Sequence, residues 1–180
     1  MFVVTDRSLC RDDFFDRIDR IASCHPEMII LREKGTPRDE LETIAYRCLE
    51  ICERNETPLS LNGDLSIARE LDICRVHLGI DRMRTGDLNG FTLVGVSVHS
   101  REEAIEAESL GADYLIAGHV FETTCKPFAP RGIGFLNDVC DSVDIPVYAI
   151  GGINNDGAGG VKLIYSSPYK TVDQVVVVHK

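Results

Sequence analysis

Phe91 to Val120 reads FTLVGVSVHSREEAIEAESLGADYLIAGHV, and the order of patterns inside these thirty residues decides the fold. The opening FTLVGVSVH is rich in β-branched residues and the closing ADYLIAGHV is an apolar run; both have strand length. Between them, SREEAIEAESLG starts on a serine suited to cap a helix. It carries Glu103 three residues on, as in a capping box, and stops at Gly111. Strand, helix and strand in succession make a βαβ unit, which demands a parallel sheet.

Outward from this unit the same grammar recurs. FVVT (2–5), EMIILRE (27–33), PLSLN (58–62), RVHLG (75–79) and IPVYAIGG (145–152) have strand character, and QVVVVH (174–179) is a further apolar run. RDELETIAYRCLEICERN (38–55) places Leu41, Ile44, Ala45, Leu49 and Cys52 on one helical face and charges on the other. Eight strands are the number that closes a (β/α)8 barrel. About 250 residues is typical of that fold, so 180 residues imply a compact TIM barrel with short loops. An open flavodoxin-like sheet is the alternative.

No linker or low-complexity tract divides the chain, so 1–180 is expected to be a single domain with a divergent tail at 153–180. That tail is rich in Gly, Asn and Ser and contains Pro168, a composition that encodes a helix poorly. The expected barrel therefore has a shortened or irregular C-terminal end. A second copy, as a homodimer, or a swapped element could cover its closing seam.

The net charge of −10 argues against nucleic acid, whose phosphates need clustered Lys and Arg. No apolar run reaches the ~20 residues needed to cross a bilayer. MFVVTDRSLC has no basic region before its short apolar start, so it is not a secretory signal, and a cytoplasmic location is expected. The seven cysteines are odd in number and include no Cys-x-x-Cys pair, which fits free thiols; no metal ligand set is expected.

In α/β barrels the carboxyl ends of the strands carry the chemistry, because the loops converge there. Polar residues follow the apolar runs at those ends, among them Asn62, Ser97 and Thr123. In LREK, Arg32 and Lys34 alternate with Glu33, so two cations share one face and can clamp an anion. In AIGGIN, Gly151 and Gly152 either form a tight turn or let backbone N–H groups approach a phosphate. His77 and His99 sit among apolar residues and are expected to be buried structural groups. His119 ends a strand directly, in GHVFETTCK (118–126), with Glu122, Lys126 and Arg131 close in sequence. A histidine so placed can carry a proton near neutral pH.

LREK, LN before a helix, VHLG, GVSVHS with EEA, GADYLIAGHVFETTCK and IPVYAIGGI occur in the order seen in the thiamine phosphate synthase superfamily. GHVFETTCK followed by APRG resembles most closely its TenI branch, the thiazole tautomerases. The likeness spans Phe2 to about Ile153 and does not extend into the tail.

This resemblance implies a barrel that binds the thiazole phosphate half of thiamine, with no cofactor. It implies that His119 moves the proton as carboxythiazole phosphate becomes its aromatic isomer. Gly151 and Gly152 would meet the phosphate, with Arg32, Lys34 and Lys126 facing phosphate or carboxylate. The synthase branch instead joins a pyrimidine diphosphate to the thiazole phosphate with magnesium held by carboxylates. Where synthases place those aspartates this chain has Gly63 and Arg82, with Asp64 and Asp81 beside them. A third reading is a catalytically inactive thiazole or thiamine phosphate-binding relative, since the tail puts half of the phosphate cradle in doubt.

Overall fold

The computed structural model describes residues 2–122, 129–153 and 175–176. Seven parallel strands, β1 (Phe2–Val4), β2 (Met28–Leu31), β3 (Leu59–Asn62), β4 (Arg75–Gly79), β5 (Leu93–Val98), β6 (Tyr114–Gly118) and β7 (Val147–Ile150), pair in chain order. The connections carry α1 (Phe14–Ala22), α2 (Arg38–Arg54), α3 (Leu65–Glu70), α4 (Ile80–Thr85), α5 (Arg101–Ser109) and α6 (Gly132–Cys140). This is the expected α/β barrel class, a curled parallel sheet with helices outside.

The closing strand departs from expectation. β8 (Val175–Val176) runs antiparallel to β1, with Phe2 opposite Val176 and Val3 opposite Val175. The edge of β1 offers N–H and C=O groups that pair with a strand of either direction. A run of valines specifies extended backbone but not the direction in which it is entered. Among the described residues, no pairing joins β8 to β7.

Alternation along the strands builds two cores. Phe2, Met28, Ile30, Tyr114 and Ile116 point into the curled sheet, whereas Val3, Ile29, Leu31 and Leu115 face the helices. All four residues of β2 are buried, as expected for a parallel strand covered on both sides. Inside, Phe2 stacks on Tyr148 with ring centroids 4.3 Å apart and meets Tyr114 edge-on at 5.0 Å. Such pairs add about 0.5–1.5 kcal/mol each beyond their buried area.

The helix between β5 and β6 is capped as its sequence suggests, with one change of partner. Ser100 Oγ accepts from the Glu103 N–H at 3.1 Å, but the Glu103 carboxylate reaches one residue further back and accepts from the His99 N–H at 2.6 Å. Gly111 takes a φ of +92° just past the helix, a conformation that glycine adopts without strain. On α2 the buried stripe is Leu41, Ile44, Ala45, Cys48, Ile51 and Cys52, with Leu49 half-buried. Burial raises both thiols on that stripe, that of Cys52 to about 12, so they are inert apolar filling.

Candidate active site

A cavity of about 300 Å³ opens at the carboxyl ends of the strands. Arg32, Lys34, Asn62, Ser97, His119 and Gly151 all line it, so six of the sequence-predicted site residues share one space. Gly152 is not among the lining residues. Thr123 and Lys126 lie outside the described residues.

Arg32 and Lys34 follow β2 on the face turned to the cavity, and Glu33 faces the other way. The Arg32 N–H donates to Thr5 Oγ1 at 3.0 Å, and the Arg32 guanidinium stands 3.7 Å from Asp6 Oδ2, which ties the end of β2 to that of β1. The Glu33 carboxylate is only 5% exposed and pairs with Arg7 Nε at 3.0 Å. Burial raises its pKa, against the opposing pull of Arg7. The alternation thus puts the two cations on the site and hides the acid behind it.

Asn62, His77 and Ser97 form the floor. His77 lies opposite Gly95 in the β4–β5 register, and Gly95 lies opposite Tyr114 in β5–β6. A side chain at residue 95 would overlap the Tyr114 ring, so the glycine opens a passage across the sheet. Through it Tyr114 Oη reaches His77 Nδ1 at 3.1 Å, while His77 Nε2 meets Ser97 Oγ at 2.7 Å. The Asn62 side-chain N–H donates to the His77 carbonyl at 3.3 Å. Burial, with a smaller contribution from the Arg32 charge, lowers the His77 pKa to about 3. His77 is therefore a neutral structural histidine, as its apolar neighbours suggested, that also fixes the Ser97 hydroxyl.

His119 follows β6 across a cis peptide bond and is 9% exposed. The loop it begins is zipped to the end of β7: the Val120 N–H donates to the Ile150 carbonyl at 2.9 Å and the Phe121 N–H to the Gly151 carbonyl at 3.0 Å. Gly151 at φ +95° and Gly152 at φ +65° make this approach feasible. A side chain on the first would overlap His119, and one on the second would overlap the backbone at Phe121 and Glu122. The glycine pair has a packing reason to be glycine, and Gly151 also borders the cavity.

His99 departs from the buried structural role expected of it. It is exposed, lines the cavity, and is anchored through Nδ1 to the Gly118 carbonyl at 2.7 Å. The apolar neighbours in VSVH misled because period-2 alternation ends with the strand: Val98 is the last buried residue of β5 and His99 lies past it. Asp6 and Arg17 also line the cavity. Asp6 directly follows β1, but Arg17 comes from α1, and no strand-end rule could place it.

The residues at the two aspartate positions of the synthase pattern do not suit a magnesium ion. Asp64 caps α3, accepting from the Ser66 and Ile67 N–H groups, both at 3.0 Å, and from the Ser66 hydroxyl at 2.7 Å. Its burial is outweighed by those hydrogen bonds, which hold its carboxyl below the usual range. The Asp81 side chain is 92% exposed and pairs with Arg84 at 2.7 Å. Neither carboxylate lines the cavity, and Gly63 takes φ +88°, where an aspartate would be strained. Magnesium needs several oxygen ligands at short, near-octahedral distances. Asp6, the one carboxylate among the described lining residues, is engaged with Arg32 and Ser8.

Comparison with known proteins places this geometry in a family. The family described as thiamine monophosphate synthase matches residues 1–179. The thiamine-phosphate synthase of Caldanaerobacter subterraneus subsp. tengcongensis is 34% identical over 88% of this chain and 77% of its own. That of Chloroflexus aurantiacus is 34% identical over 98% of this chain and 84% of its own. Among solved structures, the thiamine phosphate pyrophosphorylase of Pyrococcus furiosus superposes with a TM-score of 0.72 at 32% identity, covering 85% of this chain and 75% of that one.

Proposed function

We propose that this chain, a member of the thiamine monophosphate synthase family and so of thiamine biosynthesis, works there as a thiazole tautomerase, converting carboxythiazole phosphate to its aromatic isomer. The observation that carries this reading is the composition of the cavity wall. Imidazole and cationic side chains line it, while Asp64 and Asp81, the carboxylates nearest the synthase positions, are turned away into a helix cap and a surface ion pair.

Isomerisation needs one proton removed and another delivered, and nothing has to carry away a pyrophosphate. His119 ends β6 on the cavity, and imidazole exchanges protons readily near neutral pH. Arg32 and Lys34 present positive charge to a phosphate or carboxylate, and the Ser97 hydroxyl, held by His77, gives the ring a fixed polar contact. With most of its surface withdrawn from water, His119 works where a bound ring would exclude competing solvent protons.

The second reading is thiamine-phosphate synthase, the name borne by the relatives in Caldanaerobacter and Chloroflexus. It requires a metal–diphosphate site, and among the described residues of the cavity wall Asp6 is the one carboxylate. Purified protein given carboxythiazole phosphate alone, followed by NMR, tests the tautomerase reading: the aromatic isomer forms, and His119→Asn slows it by about 100-fold or more. Unchanged turnover in that variant would remove His119 from the mechanism.

A further inference from the structure

We propose that His99 is a second proton carrier of this site, acting as the base through Nε2 while His119 acts as the acid. The role rests on the tautomerase reading and specifies how the reaction is divided between two side chains.

The contact with Gly118 fixes the chemistry of the His99 ring. A carbonyl oxygen can only accept, so Nδ1, 2.7 Å away, carries the hydrogen. In neutral imidazole the other nitrogen is then unprotonated. Among the described residues, nothing hydrogen-bonds to Nε2, and the side chain lines the cavity. The backbone is held as firmly as the ring, because the His99 N–H donates to Glu103 Oε2 on α5 at 2.6 Å. A ring nitrogen held by a backbone acceptor, with its partner nitrogen turned to a ligand, is how a histidine is oriented as a base.

The position of the anchor links the two histidines. Gly118 immediately precedes His119, so both imidazoles are tied to one peptide unit, and the β5–β6 register, Val98 opposite Ala117, sets their spacing. Aromatisation removes a proton from a ring carbon and delivers one to a carbon outside the ring that is conjugated with it, a shift served by a base at one end and an acid at the other. His99 Nε2 takes the proton from the ring carbon, and the C–H electron pair enters the ring π system. His119, as imidazolium, delivers a proton to the carbon at the other end of that system. No electron is gained or lost, and proton exchange with water returns both histidines to their starting states. The cationic His99 formed in the step keeps its Nδ1–H bond to Gly118.

Reaction in D2O, followed by NMR, separates the two roles. His99→Asn is the chosen variant because its amide N–H can still reach the Gly118 carbonyl but cannot act as a base. Wild type exchanges the substrate ring proton and forms isomer. His119→Asn keeps exchanging that proton but forms isomer about 100-fold or more slowly, and His99→Asn does neither, with KM little changed. Exchange at the wild-type rate in His99→Asn overturns the proposal while the tautomerase reading stands. A wild type that neither exchanges nor isomerises overturns both. The 15N shifts of His99 in the free protein add a check independent of turnover: hydrogen on Nδ1 is expected, and hydrogen on Nε2 overturns the assignment.

Discussion

Gly151 and His119 are packed so closely that a Cβ on residue 151 would overlap both the Cα and the Cβ of His119. The backbone just past β7 thus forms the rear support of the proposed acid. Gly151→Ala meets this overlap and must also hold φ +95°, so it is expected to cost about 3 kcal/mol of stability. Denaturant unfolding measures the loss. Whatever folded protein remains should turn over slowly, because His119 has been pushed from its place.

A glycine without such a constraint should behave oppositely. Gly134 lies in α6, is exposed, has no positive φ, and a Cβ there would meet nothing within 4 Å. Gly134→Ala is expected to stabilise by about 0.5–1 kcal/mol, read as a rise in the denaturant midpoint with an unchanged slope.

His77 makes stability depend on pH. Its pKa is about 3 in the folded protein against about 6.5 for an unfolded histidine, so between those values the unfolded chain binds a proton that the folded one excludes. Stability therefore falls as pH is lowered through that window, with His77 contributing a slope of up to about 1.4 kcal/mol per pH unit. His77→Gln should remove this contribution, so unfolding measured between pH 4 and 7 should be flatter in the variant, whatever its absolute stability.

Asp64 should act as a helix cap and not as a metal ligand. Replacing it with Ala strips the Ser66 and Ile67 N–H groups of their acceptor, at about 1 kcal/mol, whereas Asn caps as well as Asp and should restore that stability. Both variants should isomerise substrate at the wild-type kcat. A large loss of kcat in well-folded Asp64→Asn would contradict the cap role.

Much of this site was legible because strand ends are legible. Alternation in LREK separated Arg32 and Lys34 from Glu33, and the run ADYLIAG ended where His119 begins. What escaped required knowing which residues lie opposite each other. The His77–Tyr114 contact depends on Gly95 lying between them in register, and a lone glycine in a strand signals a close approach without naming the visitor. His99 was misjudged because its apolar neighbours are in the strand and it is not. The direction of β8 was illegible because pairing with β1 depends on the connecting chain, not on the valines.

The most direct measurement compares two reactions of one protein preparation. With carboxythiazole phosphate alone and a chelator present, the account predicts full conversion to the aromatic isomer. With pyrimidine diphosphate, thiazole phosphate and magnesium, it predicts no thiamine phosphate. The reverse result, magnesium-dependent thiamine phosphate with no isomerisation, would contradict it.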